Sequence, residues 1–205
     1  NELKGSSKKK ESNLQVFSAI RKLKNYGHGF VNFGEPLSLT QFLDSQAPEW
    51  RKSQLDNPDK KPAWLTPTVN GLASELMTRI NSAAAINGMT LTALCLLASK
   101  TQTMSKQELE QAMRDYLTLF ANAPYSSDAT LPEEDATALL ANTLKLDRLQ
   151  VTEDSYGTLI GPQPGNAVYL TYYRNNIIHL FALPGVIMTA VFANQKMERT
   201  AILQL

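Results

Sequence analysis

The chain has 205 residues, of which 43% are hydrophobic and 19% charged, and its formal net charge at pH 7 is +1. That length can bury a sizeable core, and the composition is that of a globular protein rather than a disordered or fibrous one. A charge so close to zero gives no overall field to draw nucleic acid or an acidic partner.

The charge is unevenly spread. Residues 1–24 hold Lys4, Lys8, Lys9, Lys10, Arg21, Lys22 and Lys24 against Glu2 and Glu11, a balance of +5 that leaves −4 for the rest. Ser12-x-x-Gln15 is a capping-box pattern, and Val16, Phe17, Ile20 and Leu23 follow at helical spacing, so a helix with a basic polar face is expected there. Gly27-His28-Gly29 breaks it. Phe30-Val-Asn-Phe33 reads as a short strand ending in the turn Gly34-Glu35-Pro36. Residues 48–68 hold four prolines and many charges and read as a linker or an extended surface excursion.

Thr66-Pro67 can start a helix with Leu72, Leu76, Ile80 and Ala83/Ala84 on one buried face. A second helix is expected over about 90–99, with Cys95 inside its apolar run. As the sole cysteine, Cys95 excludes an internal disulfide framework and reads as a small buried hydrophobe in a reducing compartment. Ser105-x-x-Glu108 caps a third helix carrying Leu109, Met113, Tyr116, Leu117 and Phe120. Thr130-Leu-Pro-Glu133 opens a fourth, with Ala136, Leu139, Leu140 and Leu144 on its stripe. The period then changes to two: Leu149 and Val151 alternate with Gln150 and Thr152, and Asp154–Gly157 turns into Thr158-Leu-Ile160. After the loop Gly161–Gly165, a long helix is expected through Tyr172-Tyr173-Arg174 and the apolar run 177–193. That run has 17 residues and is interrupted by His179, Pro184, Gly185 and Thr189, whereas a span needs about 20 apolar residues. A buried helix is the reading it favours.

Helix, helix, helix, hairpin is the order of a winged helix. As a DNA reader it fails on charge, because residues 133–147 carry four acids and one Lys where phosphate contacts need cations. A packing module without nucleic acid is the better version. The catalytic search is short, since there are two histidines, His28 and His179. Neither has a Cys or second His at metal-ligand spacing, so no metal site is expected. No Gly-x-Ser-x-Gly elbow, Gly-x-Gly-x-x-Gly or phosphate-binding loop is present.

Four runs carry a family resemblance: Ser7-Lys-Lys-Lys-Glu-Ser-Asn-Leu-Gln-Val-Phe17, Lys22-Leu-Lys-Asn-Tyr-Gly-His-Gly-Phe-Val-Asn-Phe-Gly-Glu-Pro36, Trp64-Leu-Thr-Pro-Thr-Val-Asn70 and Thr171-Tyr-Tyr-Arg-Asn-Asn-Ile-Ile-His179. Together with their spacing, they resemble the bacterial membrane-associated glycerol-3-phosphate acyltransferases. The resemblance covers essentially the whole chain. It implies transfer of a fatty acyl group from acyl carrier protein or coenzyme A to the sn-1 hydroxyl of glycerol 3-phosphate, in phospholipid synthesis at the cytoplasmic face of the bacterial inner membrane. The acyl thioester is then a co-substrate and no cofactor is expected. In that family a His-x-x-x-x-Asp pair does the chemistry, the His taking the hydroxyl proton and the Asp orienting the imidazole.

This sequence departs from that pattern. Five residues after His28 stands Phe33, and five after His179 stands Pro184. The first residue is not Met, and the last residues read as the middle of a helix, so the chain is expected to be a piece of a larger protein. The resemblance places it after the catalytic blocks and without acyltransferase activity alone. The expected fold is mainly α with a small β component: 1–47 as the C-terminal edge of an α/β acyltransferase core, 48–68 as linker, and 69–205 as a helical, winged-helix-like region with a hairpin near 148–170. Arg174, a cation at the edge of an apolar helix, is the candidate contact for substrate phosphate, with an ion pair across the domain junction as its structural alternative. Lys8, Lys9 and Lys10 are the candidate contacts for an anionic membrane surface or the acyl donor. From a different class, a non-catalytic helical interaction or membrane-docking module is the alternative reading.

Overall fold

The structure, a computed structural model, describes residues 27–56, 61–155 and 157–194. The basic helix expected over residues 12–24, and Lys8, Lys9 and Lys10, lie outside the described residues. The observed elements are α1 (Leu39–Gln46), α2 (Trp50–Asp56), α3 (Leu65–Ser82), α4 (Gly88–Ala98), β1 (Met104–Ser105), α5 (Lys106–Asn122), α6 (Ala136–Leu144), β2 (Leu149–Asp154), β3 (Gly157–Pro162), α7 (Ala167–Asn175) and α8 (Ile178–Asn194). The fold is mainly helical, with one small antiparallel sheet in the order β1-β3-β2.

The core forms around α4. Its N-cap Asn87 accepts from the Thr90 N–H while the Thr90 hydroxyl oxygen accepts from the Asn87 N–H, so both orphan donors are satisfied. Nine of its eleven residues are buried, including Leu91, Leu94 and Cys95, because α5, α6 and α7 pack around it. Gly88 is required by that packing: a Cβ there would press on the Thr143 hydroxyl and lie 2.9 Å from the Leu139 carbonyl oxygen of α6. Helix α5 opens with the expected Ser105/Glu108 capping box and buries Leu109, Met113 and Phe120. In the sheet, β2 and β3 pair from Leu149↔Pro162 to Asp154↔Gly157, and β1 adds to the other edge of β3 at Met104↔Ile160. Gly157 turns the chain at φ +129°, a region that L side chains rarely adopt.

Five expectations are corrected. Residues 30–33 form no strand: residues 27–38 hold no regular element, and Phe33 is exposed. Strand propensity without a partner edge makes no ladder. Within 48–68, the chain folds into α2 and the first turn of α3. There Trp50 Nε1–H donates to Asp44 and Trp64 Nε1–H donates to Ser53 Oγ at 2.6 Å. Pro67 sits in the first turn of α3, where a missing N–H breaks no helical bond.

The buried face assigned to α3 is also revised. Thr68 and Ala83 are buried, but Leu76 and Ile80 point to solvent, because α1 and residues 34–36 cover a different side of the helix. Helix α6 starts at Ala136 rather than near Thr130. Asp135 is the N-cap, and Thr130 is committed to a parallel bridge with Ala85. Finally, the long helix over 172–193 is two helices bent by 81° between α7 and α8. The bend drops Ile177, Leu180 and Phe181 into the core, while Pro184 lies inside α8.

Candidate functional site

Where α3 ends and α8 begins, a cleft of about 720 Å³ opens. Four segments build it: the strap 28–32, the C-terminal half of α3, the α3–α4 connection with the start of α4, and the corner between α7 and α8. The C-terminal end of the strap and the residues just after it are tied down. Asn32 Nδ2 donates to Thr130 Oγ1 at 2.8 Å, and Arg79 Nη1 donates to the Glu35 and Pro36 carbonyl oxygens at 2.9 and 3.0 Å. Arg79 Nε is held in turn by Glu75, one helical turn earlier, at 2.8 Å.

His179 closes the corner. Its Nε2 lies 2.9 Å from the Asn81 carbonyl oxygen. A carbonyl can only accept, so Nε2 carries the proton and the bond pins the first turn of α8 to the last turn of α3. The edge of Tyr125 meets the same imidazole at 5.4 Å between ring centres. The partner of His179 is therefore a backbone carbonyl, where a catalytic dyad has a carboxylate. His28 is exposed at the cleft mouth. Tyr172 and Tyr173 meet edge to face at 5.9 Å on the far wall.

Among the described residues no Asp, Glu, Lys or Arg lines the cleft. Its polar groups are amides, phenols, imidazoles and backbone, which can bind by hydrogen bonding but offer no acid–base pair poised for proton transfer. Arg174 does not line it: Nε and Nη2 donate to Asn175 Oδ1 at 3.2 and 3.0 Å, and among the described residues no ion pair forms on Arg174. Among the described residues no three His, Cys, Asp or Glu side chains gather as a metal site.

A second surface is mostly apolar. Helix α8 has no charged residue along its 17 positions, and beyond its first turn Leu183 and Phe192 are 68% and 74% exposed. A shallow groove runs along it, floored by Leu94, Tyr116 and Leu119. No single described helix is long and apolar enough to cross a membrane.

Nothing in the sequence marks Asn32, Arg79 and Asn81 as members of a site. Their contacts join residues 43 to 98 positions apart, and no local pattern encodes such a distance. The Asn175-Asn176 pair gave the one usable signal, two turn-forming amides ahead of an apolar run.

The comparisons with known proteins bear on the whole chain. Residues 1–205 match the family model described as the glycerol-3-phosphate acyltransferase C-terminal region. The chain is similar to a glycerol-3-phosphate acyltransferase of Alteromonas mediterranea, 65% identical over 205 residues, which is all of this chain and 25% of the relative. The corresponding protein of Pseudoalteromonas atlantica is 57% identical over 204 residues and that of Aeromonas hydrophila 46% over 202, covering 100% and 98% of this chain and again 25% of each relative. The chain thus spans about a quarter of the length of these curated relatives. A match that runs from the first residue to the last carries one conclusion: this chain belongs to the glycerol-3-phosphate acyltransferase C-terminal region family.

Proposed function

We propose that the polypeptide carrying this region transfers a fatty acyl group from acyl carrier protein or coenzyme A to the sn-1 hydroxyl of glycerol 3-phosphate, and that residues 1–205 serve that enzyme without doing its chemistry. The whole-length family match carries the reading. The site supports the second half of it, since His179 is spent on a backbone carbonyl and has Pro184 five residues on. No cofactor is needed, because the thioester already holds the activated acyl group. The test is turnover. The full-length polypeptide converts glycerol 3-phosphate with an acyl donor, and the purified 205-residue chain does not; turnover by the chain alone sinks the proposal. In the full-length enzyme, Arg174→Ala raises the KM for glycerol 3-phosphate at unchanged melting temperature if the guanidinium meets the phosphate. Lost stability with an unchanged KM assigns Arg174 to structure instead.

Within this reading, residues 1–47 go with the acyltransferase core, 48–68 connect, and 69–205 form the helical region. The sequence of elements α4-β1-α5-α6-β2-β3 and the sheet order β1-β3-β2 support a winged-helix-like packing module inside it. The acids around α6 argue against nucleic acid.

The cytoplasmic face of the bacterial inner membrane is the proposed location. A specific observation supports it: α8 exposes an uncharged apolar surface, which suits burial in the interfacial zone of a bilayer. The described part of α8, 17 residues, measures about 26 Å at 1.5 Å per residue against a ~30 Å hydrocarbon core, and a helix lying in the surface is the arrangement proposed. Flotation of the full-length protein with phosphatidylglycerol-containing vesicles reads both parts. Lys8, Lys9 and Lys10 changed to Gln weaken the salt-sensitive part of binding, and Phe192→Asp weakens the salt-resistant part. Unchanged binding in both variants removes the membrane role.

A further inference from the structure

We infer that the uncharged face formed by α3, the strap 28–33 and the α7–α8 corner is the seat of the acyltransferase portion that precedes this region in the longer polypeptide. The inference rests on the proposed function for the nature of that portion, and on the structure for the surface itself.

The first observation is a stripe. Val69, Leu76 and Ile80, with Met77 beside them, stand on the outer side of α3 at helical spacing, and Ile80 is 63% exposed. The inner side is already satisfied by Thr68 and by Arg79 with the carbonyls of Glu35 and Pro36. An amphipathic helix normally turns its apolar stripe to a core, and here the stripe has no cover among the described residues. The surface does not stop at α3. Met77 and Ile80 run into the cleft, whose other walls present exposed Phe30, Val31 and Tyr172.

The second observation is chemistry. The cleft combines apolar and aromatic side chains with the amides of Asn32, Asn81, Asn87, Asn175 and Asn176, and among the described residues no side chain of Asp, Glu, Lys or Arg lines it. Depletion of charge with Tyr and Met enriched is the composition of a protein interface centre. It is a poor lipid face, because amides pressed into hydrocarbon lose their water without gaining partners. It is equally poor for a free phosphorylated ligand, which needs cations.

The third observation is connectivity. About three quarters of each relative's length lies outside this chain, and the region is the C-terminal one. The preceding polypeptide reaches the described fold through Gly27, and the next residues, His28–Asn32, form one wall of the cleft. The covalent link thus delivers the missing portion to this face, at a high effective concentration.

Thiol labelling and photo-crosslinking in the full-length polypeptide test it. Ile80→Cys and Tyr172→Cys are compared with Gln107→Cys on the exposed side of α5, each read at its own peptide by mass spectrometry, with buried Cys95 as the unreactive limit. Positions 80 and 172 should label at least about ten-fold more slowly than position 107, in vesicles and in detergent alike. A benzophenone attached at position 80 should link to peptides that precede Asn1. Equal labelling rates overturn the inference. So do protection that detergent abolishes, which means lipid cover, and crosslinks confined to residues 1–26 or to a second copy. Acyltransferase turnover of the same preparation is measured alongside: loss of the interface with turnover intact overturns this inference alone, and an intact interface without turnover overturns the proposed function alone.

Discussion

Helices α4 and α8 are both almost wholly apolar, yet α4 is buried over nine of its eleven residues while α8 is buried only around its first turn. The difference is neighbours. Three helices surround α4, and α8 leaves the core after Phe181 with nothing described on most of its circumference. A helix hydrophobic all round is expected inside something. For α4 that is this chain's own core; for α8 the proposed cover is the bilayer surface.

The contrast can be broken most directly at Leu91. It is fully buried in α4, so Leu91→Ala should cost about 2–5 kcal/mol in urea unfolding of the 205-residue chain. A cost near zero would mean that α4 is not the centre of the fold. Gly88→Ala should follow at about 1–3 kcal/mol, because the added methyl group meets the Thr143 hydroxyl and the Leu139 backbone and α4 must move away from α6. A stabilised variant would show that this close approach is absent in solution.

Next comes pH. Burial pushes the Cys95 thiol up to about 12, with Asp115 adding to the effect. Burial also raises Tyr116, with Cys95 contributing. Above 9.0, the ordinary value for a thiol, the unfolded group loses its proton while the folded one keeps it. Stability should therefore fall as pH rises from there towards 12, by up to about 1.4 kcal/mol per pH unit. Melting temperatures at pH 8 and pH 11 measure the drop, and Cys95→Ala should make it shallower; an identical slope would acquit the thiol. The smallest effect belongs to α8. Leu183→Ala should stay within about 0.5 kcal/mol in the isolated chain, and a core-sized loss there would show that α8 is packed without any partner.

The local signals in the sequence were read well where they were self-contained. The Ser105/Glu108 capping box, the alternation that makes β2 and β3, and Cys95 as a buried hydrophobe all stand in the structure. The four runs that resembled a family agree with the whole-length match. The sequence misleads wherever the partner of a segment lies far along the chain. Phe30–Phe33 has strand-like residues but no edge to pair with. The α3 periodicity identified an apolar stripe and assigned it to the inside, although the described fold covers another side. The run 172–193 looked continuous because no Pro or Gly stands at 175–177, and the bend comes instead from the pull of Ile177 and Leu180 into the core.

For the candidate site, sequence alone showed that neither histidine begins His-x-x-x-x-Asp, since spacing along a chain is a covalent fact. It also carried the Ser105/Glu108 cap and the hairpin, which depend on residues a few positions apart. Only the tertiary structure decided that His179 bonds to Asn81, that Arg79 ties down residues 35 and 36, and that Arg174 stays outside the cleft. Those outcomes depend on which segments, up to 98 positions apart, come to share one surface, and that follows from how a whole core packs rather than from any local run of residues.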